Sequence, residues 1–238
     1  MRATLSVGVL FGLIAAAAAA PVPKDDAPPP VTERHLKASL QNLKQLGLAF
    51  HSYHDITRVL PTNITDRNGK PLLSWRVAIL PYLEEDRLYK QFKLEEPWDS
   101  EHNKKLIEKM PTVYAPIRVK AKAGETFYQV FYGKGALFRP AALPIIPGSV
   151  PDGTTRTAMV AEAAEPVVWT RPADIPFDHE KKDLPKLGGM FDGDFNVTLC
   201  DGSVIRVKKN ANPAHLKHLI MPADGYVIDM EQLTNPRS

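Results

Sequence analysis

The sequence predicts an α+β protein, and three observations carry that expectation. Apolar residues recur at helical spacing early in the chain, from Leu36 to Phe50. Late in the chain, Asp201-Gly202 separates two alternating apolar runs, as in a β-hairpin. Between them there is no regular alternation of strand and helix patterns, so a doubly wound parallel sheet is not expected.

The N-terminus reads as an export signal. Met1-Arg2 precedes an apolar run from Leu5 to Ala20, and the Pro-rich stretch Pro21–Pro30 follows. The run has about 16 residues, short of the roughly 20 that span a bilayer comfortably. Residues 1–20 are therefore expected to be a signal peptide, 21–31 a Pro-rich linker, and 32–238 a single domain. The rival reading is an uncleaved membrane anchor. The mature protein is expected to be periplasmic, on the cell surface or secreted.

In the order of the chain, Leu36, Leu40, Leu43, Gly47 and Phe50 form one stripe, with Lys37, Gln41, Lys44 and Gln45 on other faces. This helix should start at Thr32 without a full capping box and run to about His54. Residues 61–71 read as a loop holding Asn63 and an Asn68-Gly69 turn. Short helices are expected at Trp75–Leu80 and Glu84–Gln91. Another is expected at Ser100–Met110, with Ser100 as its cap and Pro111 as its stop. Phe127–Phe131 and Thr157–Val160 are strand-like, the latter after a Pro151-Asp152-Gly153 turn. The hairpin Phe195–Val207 follows, with both central residues of its turn expected at positive φ. A helix near Pro213–Ile220 and a strand near Tyr226–Ile228 complete the outline.

Composition narrows the function. The chain has 238 residues, 44% of them hydrophobic, so it can build a core without disulfides. Its net charge of +3 comes from basic residues spread among acidic ones, which gives no nucleic-acid footprint. Cys200 is the only cysteine, so no internal disulfide forms; it reads as a small apolar strand residue. Eight of the 22 prolines fall at 140–151 and 166–185, where they forbid long helices.

Several segments, taken in order, resemble a known family. They are Asn42–His54, Leu60-Pro61, Ser74–Glu84, Trp98-Asp99, Asp152–Thr157 and Asn196–Val204. Together they resemble the domain of unknown function 1559 family, exported bacterial proteins with a prepilin-type His…Asp-Gly C-terminal motif. The resemblance implies a pilin-like arrangement, a long N-terminal helix laid across an antiparallel sheet with inserted loops. Its motif turns fall at Asp152-Gly153 and Asp201-Gly202. It implies no established activity, although the family is also filed among extracellular solute-binding proteins. Two departures stand out. A signal-like run and Pro-rich spacer precede the Asn-Leu-Lys-Gln block, and Phe191 stands where the family's motif has His.

Four constellations are candidates for chemistry. Trp75, Arg76, Trp98, Asp99 and Trp169 can line a ligand pocket, with Arg76 pairing to Asp99 or Glu84; the plainer reading is core packing. Glu162 and Glu165, beyond the strand at Thr157–Val160 and near Trp169 and Asp174, suggest a hydrolytic cleft or simply strand-end acids. His51 and His54 offer two metal ligands, with His102 and His179 as further candidates, or cap a helix end. Asp192-Gly193-Asp194 begins like a calcium loop, yet Val197 and Ser203 stand where that loop needs Gly and Glu. Phosphate loops, nucleophile elbows and zinc-protease helices are missing from the sequence.

The function expected is therefore an exported, non-catalytic structural or interaction module. A solute- or glycan-binding protein is the first alternative and a hydrolase using Glu162 and Glu165 the second. No cofactor or metal is expected. Other cell-surface proteins or a small solute or glycan are the partners in view, and membrane contact is expected only through the N-terminal segment.

Overall fold

A computed structural model describes residues 27–236. The expected signal peptide 1–20 and residues 21–26 of the linker lie outside the described residues.

Glu33–Thr57 forms helix α1, 25 residues long. The Thr32 hydroxyl accepts the His35 N–H at 3.3 Å, and His35 Nδ1 accepts the Thr32 N–H at 3.3 Å. That completes a capping box which the sequence pattern hides, because His replaces the usual Glu or Gln at the third position. The helix ends at Thr57, beyond the expected His54, where Arg58 turns left-handed (φ 65°) and donates its N–H to His54 O at 2.7 Å. Leu43, Leu46, Gly47, Ala49 and Phe50 are buried, while Leu36 and Leu40 are half-buried.

The stretch expected as a loop contains a small ribbon. Ile64–Thr65 (β1) pairs antiparallel with Pro71–Leu73 (β2). Asp66 Oδ1 closes the turn by accepting the N–H groups of Asn68 at 2.8 Å and Lys70 at 2.9 Å. Trp75–Ala78 (α2), a 3₁₀ turn at Leu80–Leu83 and Asp86–Tyr89 (α3) supply the short helices expected. The helix expected at Ser100–Met110 is instead a 3₁₀ segment at Asn103–Lys109. Its N-cap is His102 rather than the expected Ser100, whose Oγ nevertheless accepts Asn103 N–H at 3.1 Å. The Asn103 amide donates to the carbonyls of Lys93, Glu96 and Pro97, which draws this turn into the preceding loop.

The main sheet has four antiparallel strands, Glu125–Gln129 (β3), Ala158–Val168 (β5), Phe195–Leu199 (β7) and Val204–Val207 (β8), in that order. Phe131–Lys134 (β4) and Ile175–Asp178 (β6) form a separate parallel pair. The chain is thus α+β. β5 is longer than the strand expected at Thr157–Val160, so Glu162 and Glu165 lie inside it rather than beyond its end.

Period-two alternation on β7 explains the layering. Phe195, Val197 and Leu199 join one core cluster with Leu216, Leu219 and Ile220 of helix α4, Pro213–Ile220. Asn196 and Thr198 point the other way: Asn196 Nδ2 donates to Ser39 Oγ at 2.8 Å and Thr198 Oγ1 to Leu43 O at 3.1 Å, both on α1. The sheet is therefore covered by α1 on one face and by α4 on the other. A Cβ on Gly47 would stand 2.9 Å from Thr198 Cγ2, so glycine permits the close crossing of α1 over β7.

The β7–β8 hairpin forms, but its turn differs from the one expected. Cys200–Gly202 is a three-residue loop: Gly202 N–H donates to Leu199 O at 2.9 Å and Leu199 N–H to Ser203 O at 2.8 Å. Only Gly202 has positive φ (85°), the pattern of a type I turn closed by a glycine bulge. The strand expected at Tyr226–Ile228 does not form. Asp152 carboxylate oxygens accept Asp224 N–H at 2.6 Å and Gly225 N–H at 3.0 Å, pinning that segment as a turn. It leads into a final helical turn α5, Glu231–Thr234.

Candidate functional site

Ser74 sets the site's geometry. Its N–H donates to Thr170 O at 2.9 Å, while its Oγ accepts Arg76 N–H at 3.2 Å and so caps α2. Asn63 Oδ1 accepts Trp75 N–H at 3.0 Å, which ties the β1 ribbon to the same helix start. Trp75 and Arg76 are thereby turned inward and are 1% and 0% exposed.

Arg76 is satisfied on every side. Nε donates to Tyr128 O at 2.8 Å, Nη1 to Ser74 Oγ at 2.7 Å and Nη2 to Asp174 Oδ1 at 2.8 Å. Its partner is thus Asp174, and not the expected Asp99 or Glu84. The reason is topological: the parallel pairing of β4 with β6 brings Asp174 beside Val130, across the sheet from any sequence neighbour.

Asp174 Oδ1 also accepts Trp75 Nε1 at 2.9 Å and Val130 N–H at 3.1 Å. Burial pushes the Asp174 carboxyl above its ordinary range, while the Arg76 guanidinium and the Trp75 and Val130 donors pull it back. The second oxygen, Oδ2, takes no hydrogen bond from any described residue. Asp174 lines a cavity of about 510 Å³, within the range usual for small-molecule sites.

Trp75, Val130 and Phe138 form the apolar floor of that cavity beside Asp174. One wall is the β1–β2 ribbon, with Asn63, Thr65 and Asn68; the other is the segment Arg139–Leu143. Tyr132 stands between them, its hydroxyl raised by burial first and by the Asp174 charge second. Arg139 is exposed at the mouth and makes no ion pair among the described residues.

Of the residues singled out from the sequence, Trp75 reaches the cavity and Arg76 supports it from behind. Trp169 does not line it: its ring is sealed between Tyr114, stacked at 5.8 Å, and Phe92, edge-on at 5.7 Å, and its Nε1 donates to Ile107 O at 2.9 Å. Trp98 is half-buried under the Arg171 guanidinium, and Asp99 is exposed beside it. Tyr132, Phe138, Arg139 and Asn63 carry no local motif, and Asp174 has no signal in the sequence beyond being an acid near Trp169.

Residues 38–148, from within α1 through the cavity wall, match a family model described as a protein of unknown function (DUF1559). That segment is of the DUF1559 family. The resemblance drawn from the sequence is met over this stretch, and it contains most of the cavity wall. Asp174, which closes the floor, lies beyond the matched DUF1559 segment. No curated protein and no solved structure matches the chain.

The other candidates sit elsewhere. Glu162 is wholly buried under α1, where it accepts the Ser39 hydroxyl and, at 2.8 Å, the Asn196 N–H. Glu165 is exposed and lines a separate groove with Arg118 and Lys122. The two carboxyl groups therefore do not share a solvent-reached cleft. His54 Nε2 accepts Ile146 N–H at 3.2 Å, and His51 packs against Gly202. Asp192 pairs with Arg118, and Asp194 with Arg206 at 3.0 Å and Lys208 at 3.1 Å, so cations of the chain take the acids of the calcium-like run. Among the described residues, no three His, Cys, Asp or Glu side chains gather as a metal site. Phe191, in the place of the family's His, is buried with the Arg206 guanidinium 5.5 Å from its ring.

Proposed function

We propose that the chain is an exported, non-catalytic module that binds a small solute in the cavity floored by Trp75 and Asp174. The observation that carries this reading is the orientation of Asp174. Three donors fix one of its oxygens inside the protein, the other takes no hydrogen bond from any described residue, and Asp174 lines the cavity. Buried polar atoms are mostly hydrogen-bonded, so an acceptor without a partner at a residue lining a cavity suits a ligand. The solute-binding label filed with the family agrees with this reading without naming a ligand. Export rests on the signal-like residues 1–20 and is tested by sequencing the mature N-terminus after cell fractionation.

Thermal-shift measurement with a panel of small polar solutes tests the cavity. Thr65→Trp is the control, since Thr65 is exposed on the cavity wall and an indole there fills the space without disturbing the core. Solutes that stabilise the native chain should lose that effect in the variant. Stabilisation unchanged by Thr65→Trp would place binding elsewhere and end this reading.

A second reading, a cell-surface structural module of pilin-like build, draws on α1 lying across an antiparallel sheet. It also draws on Leu48 and Ile56, which are 69% and 72% exposed on the outer side of that helix. Concentration-dependent assembly abolished by Leu48→Lys would favour it.

A further inference from the structure

We infer that the solute is an acidic sugar of one or two rings, whose hydroxyl donates to Asp174 Oδ2 and whose carboxylate meets Arg139. The inference rests on the binding reading above and specifies its ligand.

The floor selects a donor without full charge. Asp174 is already paired with Arg76 at 2.8 Å, and both side chains are almost wholly buried, 2% and 0% exposed. An ammonium at Oδ2 would bring a second cation next to a buried guanidinium, at an electrostatic cost that the low local dielectric magnifies. A hydroxyl meets the same acceptor at no such cost. It also supplies the missing hydrogen bond to a carboxyl that burial has made harder to ionise.

The walls select a ligand with many hydroxyls. Asn63, Thr65 and Asn68 present groups that donate and accept, as a ring bearing alternating hydroxyls requires. Val130 and Phe138 offer apolar floor to the C–H face of such a ring.

The mouth selects one negative charge. Arg139 is the cationic side chain lining the cavity, and it makes no ion pair among the described residues. A single guanidinium matches a carboxylate in charge and in its planar, two-toothed geometry. A phosphate monoester, with nearly two charges, would be left half-neutralised.

Titration calorimetry with galacturonate, glucuronate, galactose and glucose tests the inference, using the native chain and Arg139→Ala. Arg139 is exposed, so its removal leaves the fold intact. The uronates should bind more tightly than their neutral parents, and Arg139→Ala should weaken them about tenfold while leaving neutral sugars unchanged. Equal binding of neutral and acidic sugars, or uronate affinity indifferent to Arg139→Ala, would overturn the acidic-sugar assignment. If none of the four sugars binds while other solutes still give stabilisation sensitive to Thr65→Trp, the assignment fails and the cavity remains a solute site. If no solute responds to Thr65→Trp, both readings fail together.

Discussion

Arg76 Nη2 stands 2.8 Å from Asp174 Oδ1, and neither side chain reaches solvent to any useful extent. This pair joins the start of α2 to the edge of β6 and carries the cavity floor on its far side. Its contribution lies in position rather than in Coulomb energy, because the desolvation of both charges offsets most of their attraction. Removing one partner is another matter, since the other is then stranded.

Arg76→Ala is accordingly expected to lower the unfolding free energy by about 3–5 kcal/mol. The Tyr128 carbonyl, Ser74 hydroxyl and Asp174 carboxylate would each lose a donor. Urea denaturation monitored by tryptophan fluorescence measures the loss. A change within about 1 kcal/mol would mean that the pair does not hold the floor.

Glu162 makes the fold sensitive to alkaline conditions. Burial raises its carboxyl to about 7, against lowering contributions from Ser39, Asn196 and the more distant Arg206. The folded chain holds this proton more tightly than the unfolded chain, where the carboxyl has its ordinary value. The stability so gained is fully present below about pH 4.5 and disappears as pH rises through 7. A shift of this size corresponds to roughly 3 kcal/mol. Urea midpoints at pH 5 and pH 8 should differ accordingly, and Glu162→Gln should flatten much of the difference. An unaltered pH profile in the variant would remove Glu162 as its source.

The crossing of α1 over β7 is tight at Gly47, where an added methyl would meet Thr198 Cγ2 at 2.9 Å. Gly47→Ala gains helix propensity of about 1 kcal/mol, and this contact opposes the gain. In a Thr198→Ser background the obstructing methyl is gone while the hydroxyl bond to Leu43 O can persist. Gly47→Ala should then stabilise by about 1 kcal/mol more than it does in the native background. A double-mutant cycle with no coupling would show that the two residues do not touch.

Cys200 should resist thiol reagents until the chain unfolds. Its side chain is 0% exposed, and burial pushes its thiol up to about 12. Labelling with a maleimide at pH 7.5 should therefore follow the unfolding transition in urea. Fast modification of the native chain would contradict the burial of Cys200, which opens the hairpin loop rather than lying in the strand as expected.

The helix α1 and the β7–β8 hairpin were legible in the sequence because each rests on a local rule: a 3.6-residue apolar period and an Asp-Gly turn between alternating runs. What local rules missed is instructive. The capping box used His35, which no pattern for that motif includes. The hairpin loop needed one positive φ rather than two, since a bulge at Gly202 does the work of a mirror-image turn. The cavity was hidden more deeply. Arg76 and Asp174 are 98 positions apart and meet only through the parallel pairing of β4 with β6, which no periodicity announces. Trp98 and Trp169 show the opposite error: residue type suggested a site, and packing placed them outside it.

The most direct measurement is the thermal shift of the native chain and of Thr65→Trp across small polar solutes. A ligand site at Asp174 predicts at least one solute that raises the melting temperature of the native chain and leaves that of Thr65→Trp unmoved. Identical shifts in the two proteins, or none in either, would contradict it.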